Sequence, residues 1–264
     1  MSSNLSGLSL GFLGTGTITS AIVTGLCTDG YLCCPIVLSP RSEGISRHLA
    51  AMFAQVHVAS SNQAMVDGSD VVVLAVRPQV AAEVLQSLTF RENHQVVSLI
   101  ATFSQDRIAN LVSPATEITC AVPLPLVAFH CGPTAIYPAG GAAASIFERL
   151  GMVVEASSEA ELQALWASTS VMATYFRLQE SLVAWLVANG IDAAAARGYM
   201  AMLFDGLGRV PQTTDLPFGK LAEEFATKGG LNEQCATQLT QAGVFDACRE
   251  ALDGVLARIR TGSK

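Results

Sequence analysis

Charged residues are scarce in this chain. Asp, Glu, Lys and Arg make 14% of its 264 residues, against about a quarter in ordinary soluble domains. Positive charge is scarcer still: 15 Lys and Arg against 22 Asp and Glu leave a formal net charge of −7. A nucleic-acid binder presents a basic face, so the balance argues against that class of partner. Long apolar runs are also missing. A spanning helix needs about 20 consecutive apolar residues. The most apolar stretch, residues 181–208, carries Asp192, Arg197 and Asp205 and several glycines. The first ten residues lack the positive charge that opens a signal peptide. A cytoplasmic protein with no membrane segment is expected.

Cysteine is present without a pattern. The seven thiols, Cys27, Cys33, Cys34, Cys120, Cys131, Cys235 and Cys248, include no C-x-x-C. An odd number without clamp spacing reads as small apolar fillers in a reducing compartment. The four histidines, His48, His57, His94 and His130, show no ligand spacing either. No metal is expected.

Hydrophobic residues, by contrast, are 50% of the chain. Without a membrane to receive them, such a content predicts a large core together with a self-association surface. The chain is long enough for two cores. From the start to about residue 155, short β-type runs alternate with helical ones. Strands are expected at 8–13, 35–39, 55–59, 71–76, 95–100, 117–122, 134–137 and 152–155. Helices are expected at 18–28, 43–53, 79–88, 104–111 and 141–150. The run 71–76 is continuously apolar, as a parallel strand covered on both faces should be. Such alternation means βαβ units and a parallel sheet. The character changes near residue 156. Ser158-x-x-Glu161 is a capping box, and only helical pattern follows, at 159–188, 192–206, 218–225 and 232–260. The predicted fold is therefore α/β: a Rossmann-type doubly wound domain over 1–155, then an all-α domain over 156–264 that carries substrate and dimer contacts.

The first strand runs into Gly14-Thr15-Gly16, and a helix follows. Gly14 permits the tight turn, and Gly16 lets backbone approach a pyrophosphate. The opening residues of the helix, Thr17 and Ile18, present free N–H groups and the positive end of the helix dipole. Thr19 stands at the usual third glycine, and Ala21 suits close helix–strand packing. At the first βα turn of a βαβ pattern, the motif reads as a dinucleotide site. The tip of the second strand reads Leu38-Ser39-Pro40-Arg41-Ser42. No acid stands there to hold a ribose 2′-OH. Arg41 can pair with a 2′-phosphate, and Ser39 and Ser42 can donate to it. NADP(H) is therefore expected in preference to NAD(H), with Glu43 placed to suit a helix first turn.

Further stretches resemble the pyrroline-5-carboxylate reductases. They are Gly11 through Gly16 with Ala21-Ile22, Asn62 with Ser69-Asp70, and Val71 through Ala75-Val76-Arg77-Pro78-Gln79. Val97-Ser98-Leu99-Ile100-Ala101 follows, and Thr227-Lys228-Gly229-Gly230-Leu231-Asn232 looks like that family's S-P-G-G-x-T signature. The resemblance runs from the first strand to the last helix. It implies an NAD(P)H-dependent reductase of a small cyclic imine, of the proline-biosynthesis type. It also implies a helical domain that interlocks with a second copy, as a homodimer or an assembly of dimers. Ala75, Val76, Arg77 and Pro78 lie at the carboxyl end of a central strand, where ligands of open α/β sheets bind. With Ala101 they are expected to line the nicotinamide half. The resemblance also takes Asn62 to the adenosine ribose or 2′-phosphate, with a plain N-cap as the alternative.

On the substrate side the resemblance is altered. The family's M-P-N-T-P reads Val122-Pro123-Leu124-Pro125, keeping the proline. Its G-S-G-P-A-Y falls on residues 169–174, keeping Ser170 and Ala173. Its imine-binding threonine is Asn232, an amide with both donor and acceptor. Gly229-Gly230, opening a helix, offers N–H groups for a substrate carboxylate. Thr227 and Asn232 add donors, and Ser170 and Pro123 complete the expected substrate contacts. Ser170 and Asn232 are the catalytic candidates. Two other readings use the same plan. A dehydrogenase of a C–OH/C=O substrate would want a Lys or His acid, yet the helical half has no histidine and only Lys220, Lys228 and Lys264. A nucleotide-binding sensor or interaction protein would keep the cofactor half and lose catalysis.

Overall fold

The computed structural model describes residues 7–28, 34–100 and 102–262. Cys33 and Ala101, singled out above, lie outside the described residues. The first half builds one sheet. In chain order it runs β1 (Leu10–Leu13), α1 (Thr17–Cys27), β2 (Ile36–Leu38), α2 (Glu43–Met52), β3 (Val56–Val58), α3 (Asn62–Asp67), β4 (Val71–Leu74), α4 (Pro78–Gln86), β5 (Gln95–Ser98), α5 (Gln105–Val112), β6 (Glu117–Val122), β7 (Pro133–Tyr137), α6 (Gly141–Phe147) and β8 (Met152–Glu155). The eight strands lie in the order β3-β2-β1-β4-β5-β6-β7-β8.

The sheet is covered on both faces. Successive residues of β4 point to opposite sides: Val71 and Val73 join Phe12, Ile22, Leu26 and Phe147 in one core, while Val72 and Leu74 join Leu13, Met65, Leu85 and Ile108 in the other. This double burial is why residues 71–74 need apolar side chains at every position. The small side chains Ala142, Ala143 and Ala144 are all buried and let α6 lie close on its face.

One strand departs from the expected parallel sheet. β7 runs antiparallel to β6, with Ala121 opposite Ile136. A parallel return needs a crossover of about a dozen residues or more. The link between β6 and β7 is shorter and opens Pro123-Leu124-Pro125. It holds only a 3-10 turn at Pro125–Phe129, so the chain doubles back.

The second half is helical: α7 (Glu159–Ser168), α8 (Val171–Ala188), α9 (Ala193–Arg209), α10 (Phe218–Phe225), α11 (Leu231–Gln241) and α12 (Val244–Gly262). Two stretches expected as single helices are each broken. Residues 159–188 part at Thr169-Ser170, and 232–260 part at Gly243, whose φ of 73° ends α11. The capping box forms with a shift: Ser158 Oγ accepts from Glu161 N–H at 3.2 Å, and the Glu161 carboxylate reaches back to Ser157. The chain divides into two compact units. One runs to Trp166 and takes in the chain from Arg258 onward; the other is Ala167–Ala257. α7 packs within the first unit, where Leu162 joins Cys120, Ala135 and Ala156. No helix among the described residues is long and apolar enough to cross a membrane.

Candidate functional site

The strand order reverses direction between β1 and β4, and ligands of doubly wound sheets bind at that switch point. Gly14 and Ala75 sit there, directly after the two strands. Gly14 has φ +100°, and a Cβ on it would lie 2.6 Å from the Ala75 carbonyl oxygen. The position therefore tolerates only glycine. Side chains tie the turn down. Gly14 N–H donates to Ser39 Oγ at 2.9 Å, Thr19 Oγ1 donates to Gly14 O at 2.7 Å, and Thr15 Oγ1 donates to Ser39 O at 3.2 Å. Thr19, standing where a third glycine is usual, thus bonds the helix to its own turn.

Gly16 is the N-cap of α1 and supplies no side-chain cap. A Cβ there would meet nothing within 4 Å. The first N–H groups of the helix, those of Thr17 and Ile18 among them, are left without an intrahelical partner. Their dipole end, with no acid in the first turn of the helix, suits an anion such as a pyrophosphate.

At the tip of β2 the side chains separate by role. Ser39 is buried and holds the Gly14 turn. Arg41 is exposed and makes no ion pair among the described residues, whereas Glu43 pairs with Arg47 one turn along α2. The nearby acid is thus engaged, and Arg41 stays open to an anionic ligand. Ser42 is the N-cap of α2 and makes no side-chain cap bond. Asn62 is not a cap: Ser61 Oγ accepts from Ala64 N–H at 3.0 Å and opens α3. The Asn62 amide makes no hydrogen bond among the described residues. Arg77 is exposed at the N-cap of α4, followed by Pro78 at its first position. Ala75 and Val76 are half-buried beside Gly14.

The carboxyl ends of β5 and β6 carry a small cavity of about 20 Å³, lined by Ser98, Ile100, Phe103, Cys120 and Val122 with α7 residues. Pro123 follows directly after this end of β6. Burial, with a smaller push from Glu159, raises the Cys120 thiol to about 12. Burial likewise raises Cys27 to about 11. Neither is a thiolate nucleophile near neutrality. Among the described residues no cluster of His, Cys, Asp and Glu could hold a metal ion.

The remaining candidates lie in the helical unit. Ser170 stands in the break between α7 and α8, and its hydroxyl donates to Ala167 O at 2.5 Å. It lines an apolar groove of about 490 Å³ with Val171, Thr174, Ala247 and Leu252, a groove that residues 227–232 do not line. The loop before α11 is closed on itself. Gly230 N–H donates to Thr227 O at 2.7 Å. Asn232 Nδ2 donates to Phe225 O at 2.8 Å, leaving Oδ1 as its open acceptor. Gly229 N–H donates to Glu233 Oε2 at 2.6 Å. Glu233 escaped the sequence reading, although a Glu three residues after a helix N-cap is a known signal for such a bond.

Residues 9–102 match the family model described as NADP oxidoreductase coenzyme F420-dependent, and residues 159–261 match pyrroline-5-carboxylate reductase dimerisation. Over 94% of this chain and 95% of its own length, a pyrroline-5-carboxylate reductase of Vibrio alginolyticus is 25% identical. The chain belongs to the pyrroline-5-carboxylate reductase family. Solved structures share the fold. The reductase from Coxiella burnetii superposes with a TM-score of 0.84 at 24% identity, covering 97% of this chain and 99% of that one. The pyrroline carboxylate reductase of Plasmodium falciparum, solved with NADP bound, gives 0.84 at 17% identity, covering 99% and 100%. Membership makes this chain an oxidoreductase of that family, and its second half a dimerisation domain that supports self-association.

Proposed function

We propose that this protein is an NADP(H)-dependent reductase of the C=N bond of a small cyclic imine, working as a cytoplasmic homodimer or an assembly of dimers. One observation carries the reading: the N-terminus of α1 has no side-chain cap at the switch point, and exposed Arg41, without an ion pair among the described residues, stands at the end of the neighbouring strand. When bound, a reduced nicotinamide supplies the hydride. The N–H groups after Gly14 and Gly16, on Thr17 and Ile18, hold the pyrophosphate. Arg41 and Ser42 take the 2′-phosphate, with buried Ser39 holding the turn beside them. Asn62 reaches the adenosine ribose, and Ala75, Val76, Arg77 and Pro78 border the nicotinamide half.

On the substrate side, Asn232 has a defined part. Its Nδ2 is anchored on Phe225 O, so Oδ1 is fixed as an acceptor. A protonated imine presents an N–H donor, and Oδ1 would accept from it. Thr227 and Pro123 shape the surroundings, and Ser170 adds a hydroxyl. The test is oxidation of NADPH with a panel of cyclic imines and oxo acids, together with reverse turnover of proline at alkaline pH. Reduction of imines alone is expected. Tight NADPH binding without turnover across the panel would overturn the reading in favour of a sensor.

A further inference from the structure

The sheet unit carries a cavity of about 320 Å³ away from the dinucleotide turn. β1, β4, β5 and β6 are mutually parallel, so the amino ends of β5 and β6 lie at the edge opposite Gly14. Gln95 opens β5 and Glu117 opens β6. The two are partners in register, as are Val97 and Thr119 two residues on. Strand alternation sends all four to one face, the face on which Val97 shares a core with Ala142 and Ala143. α6 begins only at Gly141, where a Cβ would lie 3.5 Å from Thr119 Oγ1. Before that point the cavity is bordered by Pro138 and Ala139. Their turn is tied down, since Gly140 N–H donates to Glu155 Oε1 at 2.8 Å.

The wall is rich in acceptors. Gln95 Oε1 is buried and makes no hydrogen bond among the described residues. A buried acceptor left unpaired costs free energy, which an arriving donor recovers. The Glu117 carboxylate is exposed and belongs to no ion pair among the described residues. Gln105 Nε2 donates to Ile118 O at 3.2 Å, which leaves its carbonyl oxygen as a further acceptor. No Lys or Arg among the described residues lines the cavity, and Val97, Pro138 and Ala142 give it an apolar side. Its volume is at the lower end of the range for small-molecule sites.

We propose that this cavity is a binding site for a small primary alkylammonium ion. The ammonium group lies between Gln95 Oε1 and the Glu117 carboxylate, and its short hydrocarbon chain lies on Val97, Pro138 and Ala142. The terminal torsion of a glutamine is broad, so the Gln95 amide turns its oxygen toward the incoming N–H. An ammonium brings three donors and no acceptor, the complement of this wall. A free amino acid fits less well, because its carboxylate would stand beside Glu117. The site is separate from the cofactor turn and does not depend on the imine-reductase reading.

The test titrates the full chain with butylammonium and follows the methyl NMR signals of Val97, Ile118 and Ala142. Saturable shifts at these groups are expected, with a Kd of about 1 mM. 1-Butanol keeps the chain without the charge, and butyltrimethylammonium keeps the charge without an N–H. Each should bind about tenfold more weakly or worse. Gln95→Met and Glu117→Gln should each weaken butylammonium about tenfold. Gln95→Met replaces an unpaired buried acceptor by an apolar chain of similar length, so Tm should hold or rise. Glu117→Gln changes an exposed side chain and tests the charge in a protein that folds as the parent does. Absence of saturable shifts at Val97 and Ala142, binding of either control as tight as that of butylammonium, or affinity indifferent to both substitutions overturns the assignment.

Discussion

The sheet unit and the helical unit treat their large side chains in opposite ways. In the first, Phe12 and Phe147 are at most 1% exposed and the sheet is buried on both faces. In the second, α8 and α11 bury no residue, and α9 buries only Ala196 and Met200. Phe176 is 66% exposed, Trp185 64% and Tyr199 67%. Apolar surface of this extent on one chain marks an interaction face. The sheet unit completes its core within one chain. The helical unit leaves large apolar side chains uncovered, in keeping with its match to a dimerisation family.

That contrast can be broken most sharply with two phenylalanines. Phe147→Ala should cost about 3–5 kcal/mol of unfolding free energy, whatever the protein concentration. Phe176→Ala should act through association instead, weakening it by about 2 kcal/mol, so that the assembly comes apart at higher protein concentration than the parent's does. Denaturation and sedimentation over a concentration series separate the two. An equal, concentration-independent loss in both would end the comparison.

Next in size is Arg41→Ala. It should weaken NADPH binding about tenfold to a hundredfold and leave NADH nearly unchanged, since only the former offers a second phosphate. Titration by nicotinamide fluorescence reads both, and an equal loss would remove the NADP preference.

Helix caps should not distinguish the units. Ser61 closes the start of α3, and Asp192 Oδ2 accepts from the Ala194 and Ala195 N–H groups at 3.0 and 3.1 Å to open α9. Alanine at either position should cost about 1 kcal/mol in chemical denaturation. A much larger loss at Asp192 would mean that the α8–α9 turn is itself part of the association face.

The smallest effect is one of pH, and it is confined to the sheet unit. Burial, followed by the nearby Arg91 charge, holds His94 below the usual 6.5. Its Nδ1 accepts from Arg91 N–H at 3.0 Å, a bond that protonation would break. The unfolded chain takes up this proton first, so stability is full above about 6.5 and declines as pH falls below it. Asp70 lies below the usual 3.8, held chiefly by Ser9 N–H and also by its hydroxyl. Its contribution is present above that value and is lost as pH falls through the lower folded one. Tm against pH should show two acid steps, and His94→Gln should abolish the upper one.

Much of this was legible from residue order alone, for physical reasons. The continuous apolar run at 71–74 and the glycine turn after β1 are short-range signals, and both appear where the pattern placed them. The antiparallel β7 was hidden because strand periodicity is blind to direction. The shortness of the segment between Val122 and Pro133 was the available clue. The breaks at Ser170 and Gly243 were masked by helical periodicity that continues on both sides. At the site, the exposure of Arg41 and its freedom from Glu43 could not be read from a strand tip, because they depend on Arg47 one turn further on. Glu233 was visible as a capping signal, but its glycine partner lies before the helix rather than at the cap.

The turn at Gly14 is fastened from both sides in the free chain, its N–H by Ser39 and its carbonyl by Thr19. Such a loop has little motion left to lose when a ligand arrives. Its amide should exchange slowly with solvent even without nucleotide. Encounter then needs no closing step, and the arrival rate follows diffusion aided by the charge of Arg41. Differences among dinucleotides should appear in how long each one stays.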